Sequence, residues 1–299
     1  MVSAVNEPEP PAPIIVGDPA EIAEDVYVIP DERVPLVPNV GIVLGTSGAL
    51  VVDTGMGPEN GRRVREHAES LAAGRRLLLT LTHFHPEHGF GAQAFRSAAT
   101  TLYNRGQRDE LREKGEAYLE LFRTFGDHVA GQLEGVELVE PDVVYDGEVE
   151  VELGGTRAEL RTWGLAHTRA DQTVFLPGER ILFTGDLAEN GLFPIFPYFP
   201  PDDVDIDGSR WISVLEQLEA LEPRIVVPGH GAVGDAGILV AVRECLQALR
   251  AESKQRRDEG HSLDDTVAAL DTDFRARHPD WEQPEWIGFA VRSFYASPA

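Results

Sequence analysis

The sequence predicts an α+β fold in four layers, an αββα sandwich with two β-sheets face to face and helices outside. Two observations predict it. Apolar runs bounded by Gly, Pro or Asp fall into two groups, one in each half of the chain, and each group is accompanied by stretches of helical character. No short-period repeat is visible, which argues against solenoids and propellers.

In the first half the strand-like runs are VYVIP (26–30), VGIVLGT (40–46), GALVVDTG (48–55), LLLTLTH (77–83), TLYN (101–104) and VELVE (136–140). Between them, 58–74 opens with Pro and Glu and closes on Gly, as helices do. Residues 89–98 also look helical, and 105–133 reads as a longer helical insert. Within it Tyr118, Leu119, Leu121, Phe122 and Phe125 lie at roughly helical spacing, a stripe best explained by packing. The second half repeats the rhythm with VEVEL (149–153), AELRTWG (158–164), QTVFLP (172–177), RILFTGD (180–186) and RIVVPGH (224–230). Helices are expected at 208–221 and 234–256, followed by a helical tail. No linker divides the chain, so 20–299 reads as one domain whose C-terminal helical tail begins near 235. Residues 1–19, rich in Pro and Glu, read as a flexible or loosely draped leader.

At 299 residues and 42% hydrophobic content the chain can bury a substantial core. Acidic residues outnumber basic ones by 51 to 26, a formal charge of −25. Such a field repels phosphate backbones and anionic membrane surfaces, so neither nucleic acid nor membrane is an expected partner. A small molecule is. The one cysteine, Cys245, excludes an intrachain disulfide and reads as a small buried residue inside a helix. The N-terminal stretch has no basic segment followed by an apolar one, and a cytoplasmic protein is expected. The aromatics of 281–296 either pack on the core or join a second subunit, so homo-oligomerisation is left open.

Residues 75–90, RRLLLTLTHFHPEHGF, carry the most chemistry: an apolar strand runs into His83, His85, Glu87 and His88. On extended backbone, residues two apart face the same way, so His83 and His85 can reach one metal ion. Glu87 and His88, past the bend at Pro86, can turn toward another. Imidazole with carboxylate suits Zn²⁺ and related divalent ions. Three further segments place polar groups at strand ends: AHTRAD with His167, FTGDLAEN with Asp186 and VPGHG with His230.

Taken in order, this set resembles the metallo-β-lactamase superfamily, with its His-x-His-x-Asp-His motif, later His, later Asp and final Gly-His-Gly; VVDTG (51–55) is similar as well. The resemblance covers about 25–250. It implies two metal ions, zinc foremost with iron or manganese as alternatives. His83, His85 and His167 would hold the first, Glu87, His88 and His230 the second, and Asp186 would bridge them. It also sets Asp53 beside the ligands, orienting them by hydrogen bonds; a plain turn aspartate after a strand is the alternative. One position departs from the family: Glu87 stands where Asp is usual. Its extra methylene moves the carboxylate and bears on how the second ion is held. His85, where the flavodiiron branch carries a carboxylate, speaks against that branch.

The expected reaction is attack by a metal-bridging hydroxide on a small ester, thioester, lactone or amide, with Asp186 orienting or shuttling the proton. No Ser or Cys nucleophile is required, and no Gly-x-Ser-x-Gly elbow is present. The loop after Asp186 carries Phe193, Phe196, Tyr198 and Phe199. These rings either form an apolar edge over the substrate or fill gaps beneath the following helix. Arg169 either grips an anionic group or, the favoured reading, forms a surface ion pair. His67, His128, His261 and His278 have no motif context and read as surface or packing residues. Two competing functions are an iron persulfide dioxygenase, which would leave the second ligand set idle, and a non-catalytic binding protein that keeps metal for stability.

Overall fold

The computed structural model describes residues 12–297. Seven strands form the first sheet in chain order: β1 (Ala20–Ala23), β2 (Val26–Ile29), β3 (Val40–Leu44), β4 (Gly48–Val52), β5 (Arg76–Thr80), β6 (Ala99–Asn104) and β7 (Val143–Tyr145). Pairing is antiparallel from β1 to β4 and parallel from β4 to β7. The parallel part needs crossovers, supplied by α1 (Gly57–Ala72) between β4 and β5 and by α3 (Arg105–Arg123) and α4 (Asp127–Gln132) between β6 and β7. A short helix, α2 (Pro86–Gly89), follows β5.

The second sheet runs β12-β11-β10-β9-β8, formed by β8 (Glu148–Glu152), β9 (Arg157–Gly164), β10 (Asp171–Leu176), β11 (Ile181–Gly185) and β12 (Ile225–Pro228). All its pairs are antiparallel except β11 with β12, which are joined through α5 (Gly208–Glu219). The chain closes with α6 (Gly237–Asp258), α7 (Leu263–Arg277) and α8 (Glu285–Ala296).

Side-chain alternation divides the strands between three cores, as a sandwich with covered faces requires. Leu50 and Val52 of β4, Leu78 of β5, Val174 of β10 and Phe183 of β11 pack between the two sheets. The intervening Ala49, Val51, Leu77 and Leu79 face outward onto Val64 and Ala68 of α1 and Leu111 and Phe122 of α3. Leu182 and Val226 face the other way, onto Trp211 of α5, Leu246 of α6, Phe274 of α7 and Phe294 of α8. This is why β3, β4 and β11 read as continuous apolar runs, every residue being buried. The four-layer α+β sandwich is the expected fold.

Several expectations need correction. VELVE (136–140) is not a strand: Val139 is apolar because it caps the outer core of the first sheet, and the pairing strand is β7 further on. Residues 89–98 do not form a helix but a 3-10 turn at Ala92–Phe95. Gly91 lies so close to Gly61 of α1 that a Cβ on it would come within 2.8 Å of the Gly61 Cα. The 105–133 insert is two helices, broken at Gly126, whose φ of 124° favours glycine. Residues 1–11 of the expected leader lie outside the described residues. Ile14 and Val16 are buried, and Asn60 of α1 clamps them by accepting from the Val16 N–H and donating to the Ile14 carbonyl. Ile287, Ala290, Val291 and Phe294 bury one face of α8 against the second helical layer, so 281–296 packs on its own core. Among the described residues, no helix is long and apolar enough to cross a membrane.

Candidate metal centre

Three segments at the ends of β5, β9 and β11, and one at the end of β12, meet along one edge of the sandwich. β5 ends at Thr80, the chain bends at Thr82 and His83, and Pro86 starts α2, a position where its fixed φ and missing N–H cost nothing. His83 and His85 share a side, their ring centroids 4.6 Å apart. The turn into α2 swings Glu87 and His88 toward His230, with the His88 and His230 rings 5.3 Å apart. Asp186 and His230 follow two neighbouring parallel strands, so their side chains leave the sheet edge together.

The result is two four-membered groups, His83, His85, His167 and Asp186 in one and Glu87, His88, Asp186 and His230 in the other, each with ligand atoms within 4.8 Å of one another. Asp186 belongs to both. Each group also draws two residues from each half of the chain. All seven side chains are buried. The structure thus brings together every ligand position read from the sequence, Glu87 included.

Hydrogen bonding fixes the imidazoles with one nitrogen facing inward. Asp53 accepts from the Thr82 N–H at 2.7 Å and from the Thr82 hydroxyl at 2.9 Å. Having given its one hydrogen to Asp53, the Thr82 hydroxyl accepts from His83 Nδ1 at 3.1 Å. His88 Nδ1 lies 2.9 Å from Asp53 Oδ2, and His230 Nδ1 donates to the Val37 carbonyl at 3.1 Å. In all three rings Nε2 is left for the interior, the arrangement that holds a metal-binding imidazole in one tautomer. Asp171 does similar work on the backbone, accepting from the N–H groups of His167 and Thr168 and from the Thr168 hydroxyl.

Among the described residues, nothing satisfies the inward atoms. His83 Nε2, His167 Nε2, Glu87 Oε2 and both oxygens of Asp186 are buried without a hydrogen-bond partner, while His167 Nδ1 lies 3.5 Å from Asp171 Oδ1. His88 Nε2 stands 3.2 Å from Asp186 Oδ1 without hydrogen-bond geometry. Each such group costs roughly 1–3 kcal/mol if left alone, so their convergence is hard to account for by packing. Neutral imidazole nitrogens and carboxylate oxygens converging at this spacing fit divalent metal ions.

For His83 and His85 the electrostatics agree. Burial, reinforced by neighbouring histidines, holds His83 and His85 well below the usual histidine range, so both are neutral near pH 7, the state a ligand needs. Burial also raises the Glu87 carboxyl. For His88, burial works downward but the Asp186 and Asp53 carboxylates outweigh it and raise the ring well above its usual range. Asp186 is pushed up by burial yet held well below the carboxylate range by His88, His230 and His83.

The residues expected to line a substrate site fare differently. Phe193 and Phe196 are fully buried, Phe193 against His278 and Trp281, and Phe196 against Trp211 and Phe294. They fill gaps under the helices, and Tyr198 is half-buried against the same core. Their chain neighbours Ile195, Pro197 and Phe199 face the cleft above His85, Glu87 and His230 instead. Arg169 is paired with Glu113 and Asp205, as the ion-pair reading expected. Sequence reasoning missed Tyr118 as a site residue: its ring stacks on His85 with centroids 5.2 Å apart, and its hydroxyl donates to Asp203 at 2.7 Å. It missed Thr82 and Asp171 as well, although both stand in the same polar runs as the histidines they hold.

The family model for the metallo-beta-lactamase superfamily matches residues 33–230. A metallo-beta-lactamase type 2 from Bacillus sp. (strain 170) is 25% identical over 214 residues, which is 71% of this chain and 74% of the relative. A metallo-beta-lactamase from Pontibacter korlensis superposes with a TM-score of 0.63 at 21% identity, covering 77% of this chain and 98% of that one. A stereoselective inverting sec-alkylsulfatase from Pseudomonas sp. superposes with a TM-score of 0.69 at 16% identity, covering 93% of this chain and 49% of the other. At such identities the structural likeness speaks to the fold, while the family match runs from Arg33 to His230, the last of the clustered histidines. This chain belongs to the metallo-β-lactamase superfamily.

Proposed function

We propose that this chain is a two-metal hydrolase, most simply a zinc enzyme, that cleaves a small ester, thioester, lactone or amide. The observation that carries the reading is the pair of buried ligand groups sharing Asp186. His83, His85 and His167 would hold one ion, Glu87, His88 and His230 the other, and Asp186 both. Two divalent ions supply a water-derived nucleophile at neutral pH and polarise the bond under attack.

The protein's own groups then have defined tasks. Asp53 and Thr82 lock the His83 and His88 rings, so that no rotation is needed when substrate arrives. Asp186, common to both groups, would accept a hydrogen bond from the attacking water and so orient it. Burial around the site strengthens each of these interactions by keeping bulk water out. The complete second group, with Glu87 in it, favours this reading over a one-iron dioxygenase, which would leave Glu87, His88 and His230 without work.

The test is metal content together with turnover. Protein purified without added metal is expected to carry two zinc-like ions per chain, and Glu87→Ala about one, with ester or lactone hydrolysis lost on chelation and restored by Zn²⁺. A single iron in both proteins, with oxygen consumption, would sink the proposal.

A further inference from the structure

Above His85, Glu87 and His230 lies a narrow cleft with apolar walls. Leu121 and Phe122 of α3 with Phe125 just beyond it form one wall, Ile195 and Phe199 the other, and Trp286 of α8 closes the end. Among the described residues that line it there is no lysine or arginine. Past Tyr118, Leu121, Phe125 and Phe199 the cleft opens into a hollow of about 600 Å³, within the roughly 300–1,000 Å³ typical of small-molecule sites. Leu121 and Phe125 are exposed at this mouth, 38% and 48% accessible, and lie side by side on the lining it shares with the cleft.

The cations nearby are already held. Lys114, on the wall of the hollow, lies 2.9 Å from carboxylate oxygens of Glu110, Asp203 and Asp205. Arg169 is paired with Glu113 and Asp205. On the opposite flank, beside His230 and Gln283, Arg33 is 2.7 Å from Glu282 and also donates to the Asn190 and Gly191 carbonyls. Asp202 adds to the acidic side of the hollow and Glu285 to that of the opposite flank. An anionic tail entering here would lose water and meet apolar walls, carboxylates and cations already paired with carboxylates, with a protein charge of −25 behind them.

We propose that the cleft selects neutral substrates whose reacting carbonyl carries an apolar chain of several carbons, and rejects substrates bearing a carboxylate or other anion at the far end of that chain. The proposal rests on the hydrolase reading for the identity of the reacting group, but its recognition part stands on the cleft alone. It separates this protein from enzymes that grip an acidic substrate: the carboxylate of a β-lactam antibiotic, for example, would find no free counter-charge on these walls.

Binding tests it without turnover. The metal-loaded protein is titrated with neutral ketones from pentan-2-one to undecan-2-one, following tryptophan fluorescence, with Trp286→Phe used to assign the signal. Affinity is expected to rise about fourfold per methylene until the cleft is full. A keto acid of the same length with its carboxylate at the far end is expected to bind roughly tenfold more weakly, as an unpaired charge demands. Leu121→Lys, a change at an exposed position, should narrow that gap severalfold. Equal binding of the neutral and anionic series, or no dependence on chain length, would overturn the proposal. If the ketones bind in the expected pattern while no 4-nitrophenyl ester is cleaved, the recognition proposal is upheld and the hydrolase reading alone fails.

Discussion

Asp53 binds the His88 ring directly and the His83 ring through one intervening hydroxyl, that of Thr82. One carboxylate therefore orients a histidine in each of the two groups. It does so from a strained backbone position, φ 68°, that non-glycine residues seldom adopt. Asp53→Asn, which keeps the size but weakens the acceptor, is expected to lower metal affinity about 10–100-fold. Competition with a chelator measures it, and an unchanged affinity would show that Asp53 is only a turn residue.

Gly229 stands where a side chain would strike the centre of the site. A Cβ there would lie 1.9 Å from Asp186 Oδ1 and 2.8 Å from the Gly185 carbonyl carbon. Gly229→Ala must displace Asp186, at a cost of about 1–3 kcal/mol. Both ions should be lost together, because Asp186 serves both groups. Thermal unfolding and metal analysis of the same preparation check the two effects; loss of one ion alone would contradict the sharing.

Phe196 and Phe199 should behave in opposite ways although only two residues separate them. Phe196 is fully buried against Trp211 and Phe294, so Phe196→Ala is expected to cost about 3–5 kcal/mol in chemical denaturation with little change in ligand preference. Phe199 faces the cleft. Phe199→Ala should cost less than half as much stability and flatten the chain-length dependence of binding.

Glu110 makes one contribution to stability that depends on pH. Burial raises its carboxyl from 4.5 to about 7 despite the pull of Lys114. Between these values the folded protein retains a proton that the unfolded chain has released, so stability falls as pH rises through that window. Glu110→Gln removes the dependence. Relative to wild type, the variant should gain about 2–3 kcal/mol between pH 5 and pH 8, read as the difference between urea unfolding curves at the two values.

How much of this could be read from the sequence follows a physical line. The ligands were legible because they stand at strand ends flanked by Pro and Gly, where local geometry alone decides which way His83, His85 and His88 turn. The strands buried on both faces, β3, β4 and β11, were legible for the same local reason. VELVE was misread because an apolar run does not say whether it pairs or merely covers; Val139 covers. The choice between Phe196 and Phe199 as the cleft residue is made by Phe294, Phe289 and Trp286, which arrive on the last helix. Glu87 was legible as a member of the cluster by position, whereas Tyr118 could be placed against His85 only once the path of α3 over α2 was known.

Because each ligand group takes two residues from the first half of the chain and two from the second, bound ions would act as removable cross-links between the halves, much as a disulfide would in a chain that has a single cysteine. With them in place the halves should melt as one cooperative unit. Stripped of them, the halves are still joined by the apolar core between the sheets, Leu50, Leu78, Val174 and Phe183 among it, and the protein is expected to unfold at a lower temperature.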